Sequence, residues 1–360
     1  MGLDSLGGNV TSGLLDEIIL EGRRCKASDI HISEGMPICY RVYGQLRWSQ
    51  QSISDAQVRQ MLIDVLDELQ KKSFALGQDV DFSVQASDGG RQRVNIFRQQ
   101  HKMAATIRLL NNHIPTLEEL KMPTSLYEIA KQPRGLFLVT GPTGSGKSTT
   151  LAAMIEYINV NSDRHVITIE DPVEYVYECK KSLIHQREIG SDVTSFASAL
   201  RSALREDPDV ILVGEMRDYE TISAALLAAE TGHLVLSTLH TTGAAQTVER
   251  IIDACPAGGQ NQVRVQLAGT LKGIISQCLI PCGGGVSRVA ATELLFGTDA
   301  ILNLVREGKT HQISTMMQTG TKEGMYTLNM DLQRLMRQGY ITKEDALTYT
   351  NNLEDLRQYL

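Results

Sequence analysis

Residues 141–149 read GPTGSGKST, between an apolar run, GLFLVT at 135–140, and a helix-forming stretch, TLAAMIEY at 150–157. Gly141, Gly144 and Gly146 let the backbone turn tightly and aim several N–H groups into one concavity. A helix starting at that point adds the positive end of its dipole. Such a cradle suits an anion. The lysine and hydroxyls that follow narrow the anion to a nucleotide triphosphate: Lys147 reaches β- and γ-phosphate oxygens, and the Ser148 hydroxyl ligates Mg²⁺. The spacing Gly-x4-Gly-Lys-Ser is complete and stands in the required strand–loop–helix order. The chain is therefore expected to bind ATP through Gly141, Thr143, Gly144, Ser145, Gly146, Lys147, Ser148 and Thr149, with GTP the alternative nucleotide.

Hydrolysis needs more than a grip on phosphate. In parallel sheets ligands gather beyond the carboxyl ends of the strands, and three apolar runs end in groups suited to the task. These are VITIEDPVE at 166–174, DPDVILVGE at 207–215 and HLVLSTLH at 233–240. A carboxylate there can hold the magnesium shell or orient the attacking water, and a histidine can sense the γ-phosphate. Three such ends in one domain with a full phosphate loop point to an active site.

Positioning those ends calls for strands buried on both faces. The runs at 136–140, 165–169, 209–213 and 233–238 alternate with helical stretches, the pattern of a parallel sheet flanked by helices, so the fold class is α/β. The first ~110 residues read differently. Ser54 and Gln57 form a capping box, followed at helical spacing by Val58, Met61, Leu62, Val65, Leu66 and Leu69. Segments 79–84 and 91–97 alternate with period two around a turn at 87–90, and 103–109 supplies another strand. The expected organisation is an N-terminal α+β domain at 1–112, a linker at 113–133, an ATPase core at 134–295 and a C-terminal helical region at 296–360. Helices are expected at 300–306, 325–338 and 343–351, with Met316 and Met317 filling core space.

Composition narrows the class further. The 360 residues are 42% hydrophobic and 21% charged, with a net charge of −7; no global basic field invites nucleic acid. No apolar run approaches the ~20 residues that cross a bilayer, and the N-terminus lacks the pattern of a signal peptide. Leu6 stands where a myristoylation signal wants Ser or Thr. The six cysteines (25, 39, 179, 255, 278 and 282) are scattered and complete no zinc-binding quartet, so reduced thiols are expected. The location expected is cytoplasmic, peripheral at the inner face of the cytoplasmic membrane through partners.

Taken together, GPTGSGKST, ITIEDPVEY, ALREDPDVILVGEMRD and TGHLVLSTLHT resemble the Walker A, Asp-box, Walker B and His-box motifs of the secretion-superfamily ATPases. These are ring-forming motors of type IV pili and of type II and type IV secretion. ASDIHIS at 27–33 is also similar to a signature of that family's first domain, and the likeness runs from about residue 15 to 340. It implies a RecA-like P-loop NTPase core with a smaller, PAS-like N-terminal α+β domain. Within the family the chain looks most like the pilus retraction branch. It shows neither an additional N-terminal domain nor a four-cysteine zinc module. Residues 300–307, AILNLVRE, resemble the AIRNLIRE motif of retraction motors, departing from it at Leu302 and Val305.

Carried over by position, the resemblance implies Glu174 as general base, with Glu170 and Asp171 as alternatives at the same strand end. It implies Glu215 on magnesium through water, and His233 and His240 near the γ-phosphate. Arg93 and Arg108 of the first domain would neutralise charge on the transferred phosphoryl group, with Arg91 and Arg98 as rivals. Arg217 and Asp218 are read as an interface ion pair, with a merely solvated pair as the alternative. The expected assembly is a homo-hexamer that clamps ATP between the two domains of each subunit. It would act on an inner-membrane pilus platform protein, with a paralogous assembly ATPase as a further partner and no nucleic acid. The function expected is pilus retraction. An assembly, type II secretion or conjugation motor of the same fold is the alternative, and a nucleotide-binding regulatory subunit the second.

Overall fold

The computed structural model describes residues 9–11, 13–110, 113–282 and 287–359. It divides into two units, Met1–His113 with Pro172–Val176, and Ile114–Asp171 with Tyr177–Leu360.

In the first unit β1 (Asn9–Val10) is followed by α1 (Gly13–Arg24), β2 (Ala27–Ser33), β3 (Cys39–Val42) and β4 (Gln45–Trp48). Then come α2 (Asp55–Asp64), α3 (Glu68–Ala75), β5 (Val80–Gln85), β6 (Arg91–Gln99) and β7 (Lys102–Leu109). The strands form one sheet in the order β1-β5-β6-β7-β2-β3-β4. Period-two alternation sorts its faces: Ile30, Ile32, Val94, Ile96, Ala105 and Ile107 turn inward against Ile18, Ile19, Val58 and Leu62 of the helices. Their polar neighbours form the outer face. The capping box at Ser54 and Gln57 is present, but the helix it starts ends at Asp64 with Val65 as its cap. Asp67 then caps α3, which breaks the helical phase. Leu69, expected on the buried stripe, is 74% exposed for that reason.

The second unit opens with α4 (Ser125–Ala130), β8 (Gly135–Thr140), α5 (Lys147–Asn161), β9 (His165–Glu170), β10 (Leu183–Glu188) and α6 (Phe196–Ala203). It continues through β11 (Val210–Val213), α7 (Tyr219–Glu230), β12 (Leu234–Leu239), α8 (Ala244–Asp253), α9 (Gln260–Thr270), β13 (Leu271–Cys282) and β14 (Ser287–Phe296). The sheet order is β10-β9-β11-β12-β8-β13-β14. All neighbours are parallel except β13 and β14. Every residue of β8, β11 and β12 is buried, the signature of strands covered on both faces. Leu136, Leu138, Ile167, Ile169, Ile211 and Val213 pack against Leu200, Leu226, Val248 and Leu267 of the flanking helices. From β8 the chain crosses past β12 and β11 to reach β9, so several strands release their carboxyl ends beside the end of β8.

The β13–β14 hairpin has no counterpart among the expected strands. Its central residues are buried on successive positions, Ile274 with Ile275 and Leu294 with Leu295, so no alternation marks it in the sequence. Beyond it lie α10 (Asp299–Glu307), α11 (Ile313–Thr319), α12 (Leu328–Arg337), α13 (Lys343–Tyr349) and α14 (Leu353–Leu356). This region groups with the second unit. Leu332, Leu335, Ile341, Ala346 and Leu356 close over Ile280, Val289 and Ala291 of the hairpin. Met317 is buried in the main cluster and Met316 packs against it. No helix among the described residues is long and apolar enough to cross a membrane.

Candidate active site

The phosphate loop leaves β8 through Gly141, at φ 140°, turns again at Gly144 (77°) and enters α5 through Gly146 (90°). All three sit where a side chain would strain the backbone. At Gly141 there is also no room, because a Cβ would run into the Gln277 carbonyl oxygen, and at Gly146 it would crowd the Gln277 side-chain amide at 3.2 Å. Gly146 is the N-cap of α5 and has no capping side chain, so the first amides of the helix are left for a ligand in the loop. Lys147 is 8% exposed; its ammonium donates to the carbonyls of Gly141 at 2.8 Å and Pro142 at 3.1 Å. Ser148 and Thr143 are exposed, Thr149 half-buried and Ser145 buried. The buried hydroxyls of Thr140 and Ser145 have no hydrogen-bond partner among the described residues.

Three strand ends flank the loop. β12 pairs with β8 so that Leu239 stands opposite Thr140, and His240 therefore emerges beside Gly141. β11 delivers Glu215, whose Oε1 lies 3.1 Å from His240 Nε2. Its Oε2 lies 2.8 Å from Arg217 Nε. Side-chain hydrogen bonds tie the strands together here: Ser237 donates to the Val213 carbonyl and Thr238 to that of Gly214. Glu170, at the end of β9, accepts from Thr168 at 2.7 Å and from Gln186 at 3.3 Å. Arg217 thus pairs with Glu215 rather than with Asp218. The Asp218 carboxylate is committed to the Thr221 amide as the N-cap of α7.

The structure does not bring His233 to this edge. Its carbonyl accepts from the Gly135 amide at the start of β8, and its ring lies against the Ala228 carbonyl at 2.9 Å. His233 and His240 bracket one extended strand, which at ~3.3 Å per residue holds them roughly 20 Å apart. Strand polarity separates two histidines that sequence places in one box.

Arg93 and Arg108, the two first-choice arginines, lie on the outer face of the first unit's sheet. Arg93 and Arg108 are cross-strand neighbours on β6 and β7. Arg93 holds Asp81 at 2.7 and 3.1 Å, and Arg108 meets Asp29 at 3.1 Å. Of the rivals, Arg98 donates to the Phe74 carbonyl and lies over its ring at 3.9 Å, a packing role. Arg91 is half-buried. Glu174, half-buried, lies in Pro172–Val176, which groups with the first unit.

Two side chains of the β13–β14 hairpin escaped the reading from sequence. Gln277, 2% exposed, accepts from the Thr150 hydroxyl at 3.0 Å and donates to the Ser145 carbonyl at 2.7 Å. It braces both sides of the phosphate loop. Glu293 is buried and accepts from the Ala244 amide at 2.7 Å and the Leu328 amide at 3.3 Å. Burial pushes its carboxyl above the ordinary range, against the pull of those two amides. The missing strand assignment hid both, and no motif marks either.

The family model described as type II/IV secretion system protein matches residues 6–356. The twitching motility protein of Neisseria gonorrhoeae is 50% identical over 317 residues, covering 88% of this chain and 85% of its own. The type IV pilus retraction ATPase PilT of Pseudomonas aeruginosa is 47% identical over 333 residues, 92% of this chain and 96% of its own. A crystal structure of the pilus retraction motor PilT with bound ADP superposes with a TM-score of 0.90 at 45% identity. That match covers 96% of this chain and 100% of the other.

Proposed function

Because this chain belongs to the type II/IV secretion system protein family, we propose that it is an ATPase whose turnover drives type IV pilus retraction and twitching motility. One observation carries the reading. A complete phosphate loop stands beside the Glu215–His240 pair in a chain 47% identical to a pilus retraction ATPase along almost its whole length.

The amides of the loop and of the first turn of α5 receive the phosphates, and Lys147 turns from two carbonyls onto the β- and γ-phosphate oxygens. The donors at hand suit magnesium, a hard cation that takes oxygen ligands: the exposed Ser148 hydroxyl and the Glu215 carboxylate, the latter through water. Bound with the triphosphate, Mg²⁺ supplies charge neutralisation. Glu174 takes the proton of the attacking water, and His240 fixes the Glu215 carboxylate. Arg93 and Arg108 offset negative charge on the transferred phosphoryl group. The motor works as a homo-hexamer at the cytoplasmic face of the membrane, on an inner-membrane platform protein, with a paralogous assembly ATPase as a second partner.

Cells lacking the chain keep or accumulate surface pili and fail to twitch; bald cells would identify an assembly motor instead. Purified protein hydrolyses ATP, and Lys147→Ala abolishes binding and turnover together.

A further inference from the structure

Glu293 stands outside the hydrolytic residues, yet it touches two elements that leave the site in different directions. Through Oε1 it holds the first amide of α8, directly after the loop that carries His240; through Oε2 it holds the first amide of α12. Neither helix has a side-chain cap of its own, since Gly243 and Thr327 occupy the cap positions without such a bond. One buried carboxylate therefore caps two helices. The grip on α12 is reciprocal: Asp331 of that helix accepts from the amide of Thr292, the residue before Glu293, at 2.8 Å. A cavity of about 300 Å³ between these elements is lined by Pro142 of the phosphate loop, Thr242, Gln277, Glu293 and Leu328.

We propose that Glu293 is a positioning residue that couples the His240 loop to α12, so that a nucleotide-driven shift of the loop is passed to the C-terminal helices. This rests on the reading of the chain as an ATPase. A ligand that moves His240 displaces residues 241–243 and the start of α8. A carboxylate bound to both helix starts transmits that displacement, because releasing either amide would leave a buried donor unpaired. The packing of α12, Leu332 and Leu335 against the hairpin carries it onward into α13 and α14.

The test uses Glu293→Gln in the full chain. An amide offers one oxygen and must turn donors toward the second N–H, so one of the two bonds is lost. The second variant is Leu328→Pro, which deletes the α12 donor and trims the buried Leu328 side chain while leaving the Glu293 carboxylate and its bond to α8 in place. Proline is favoured at the first helical position, and Thr327 is already extended, at φ −86° and ψ 163°, as a residue before proline must be. Hydrogen exchange is followed at residues 141–150, 240–250 and 326–334, with magnesium and either ADP or a non-hydrolysable ATP analogue. In the parent chain, exchanging ADP for the analogue changes protection in all three segments. In both variants the change at 141–150 persists and that at 326–334 disappears, while kcat falls about tenfold with KM for ATP within about twofold. A nucleotide response at 326–334 that survives in either variant overturns the proposal and leaves Glu293 a structural cap. No nucleotide protection at 141–150 in the parent chain would instead overturn the ATPase reading, and the proposal with it.

Discussion

Glu215 and His240 meet at the carboxyl edge of the parallel sheet, Oε1 to Nε2 at 3.1 Å, although a helix and a strand separate them along the chain. Their meeting follows from the parallel pairing of β11 and β12, which brings the two strand ends out together.

Because they act on one another, their substitutions are coupled. Glu215→Gln keeps size and removes charge, and lowers single-turnover hydrolysis by about 10²–10³-fold, the range for loss of one preorganised electrostatic group. Equilibrium ATP binding is expected to change little. His240→Ala lowers the rate less, and adding it to Glu215→Gln costs almost nothing more. Losses that multiply in the double variant would mean the two act independently.

Gln277 braces the phosphate loop from a neighbouring strand. Gln277→Ala strips a partner from the Thr150 hydroxyl and the Ser145 carbonyl, a loss of about 1–3 kcal/mol for buried polar groups left unpaired. Denaturant unfolding should register that loss, and the KM for ATP should rise as the loop loosens. An unchanged KM would confine Gln277 to stability.

Arg93 holds a partner that is cheap to lose, whereas the Asp29 partner of Arg108 is buried. The Arg93–Asp81 pair is about half-exposed on both sides, a setting in which ion pairs contribute about 0–1 kcal/mol. Arg93→Ala should leave the melting temperature nearly unchanged and Arg108→Ala should lower it, while each cuts kcat by at least about tenfold, through lost neutralisation of the phosphoryl group. If activity falls only in step with the folded fraction, their role is structural.

Glu34 offers a test of the first unit by pH. The hydrogen bond from Arg59, with the Met103 amide, holds its buried carboxyl below the ordinary range against the opposing effect of burial. A carboxylate whose folded pKa is depressed stabilises the fold above its unfolded pKa, and that stability is lost as pH falls through the folded value. Arg59→Gln should therefore lower the melting temperature by a few degrees at pH 7. The gap should close as pH falls through the folded value and Glu34 becomes protonated in both proteins; a gap constant with pH would rule out the ion pair as its source.

The phosphate loop was legible at once because its chemistry is local: the glycines, lysine and hydroxyl act within nine consecutive residues, and the backbone geometry follows from residue type. The strands of the central sheet were legible too, as uninterrupted apolar runs. Leu69 misled because one Asp67 cap restarted the helix out of phase, a change of a residue or two that periodicity absorbs. His233 misled because a motif records nearness in sequence, whereas an extended strand carries its two ends apart.

Gln277, Glu293 and the partner of Arg217 were beyond reach for another reason. Each owes its position to hydrogen bonds between segments far apart in the chain. Residue type and spacing were enough to specify a triphosphate cradle, an α/β core and a set of acid and histidine candidates. Which of those candidates stand together, and which unmarked side chains brace them, depended on strand order and register. Those are set by burial summed over many residues, and no short stretch of sequence contains that sum.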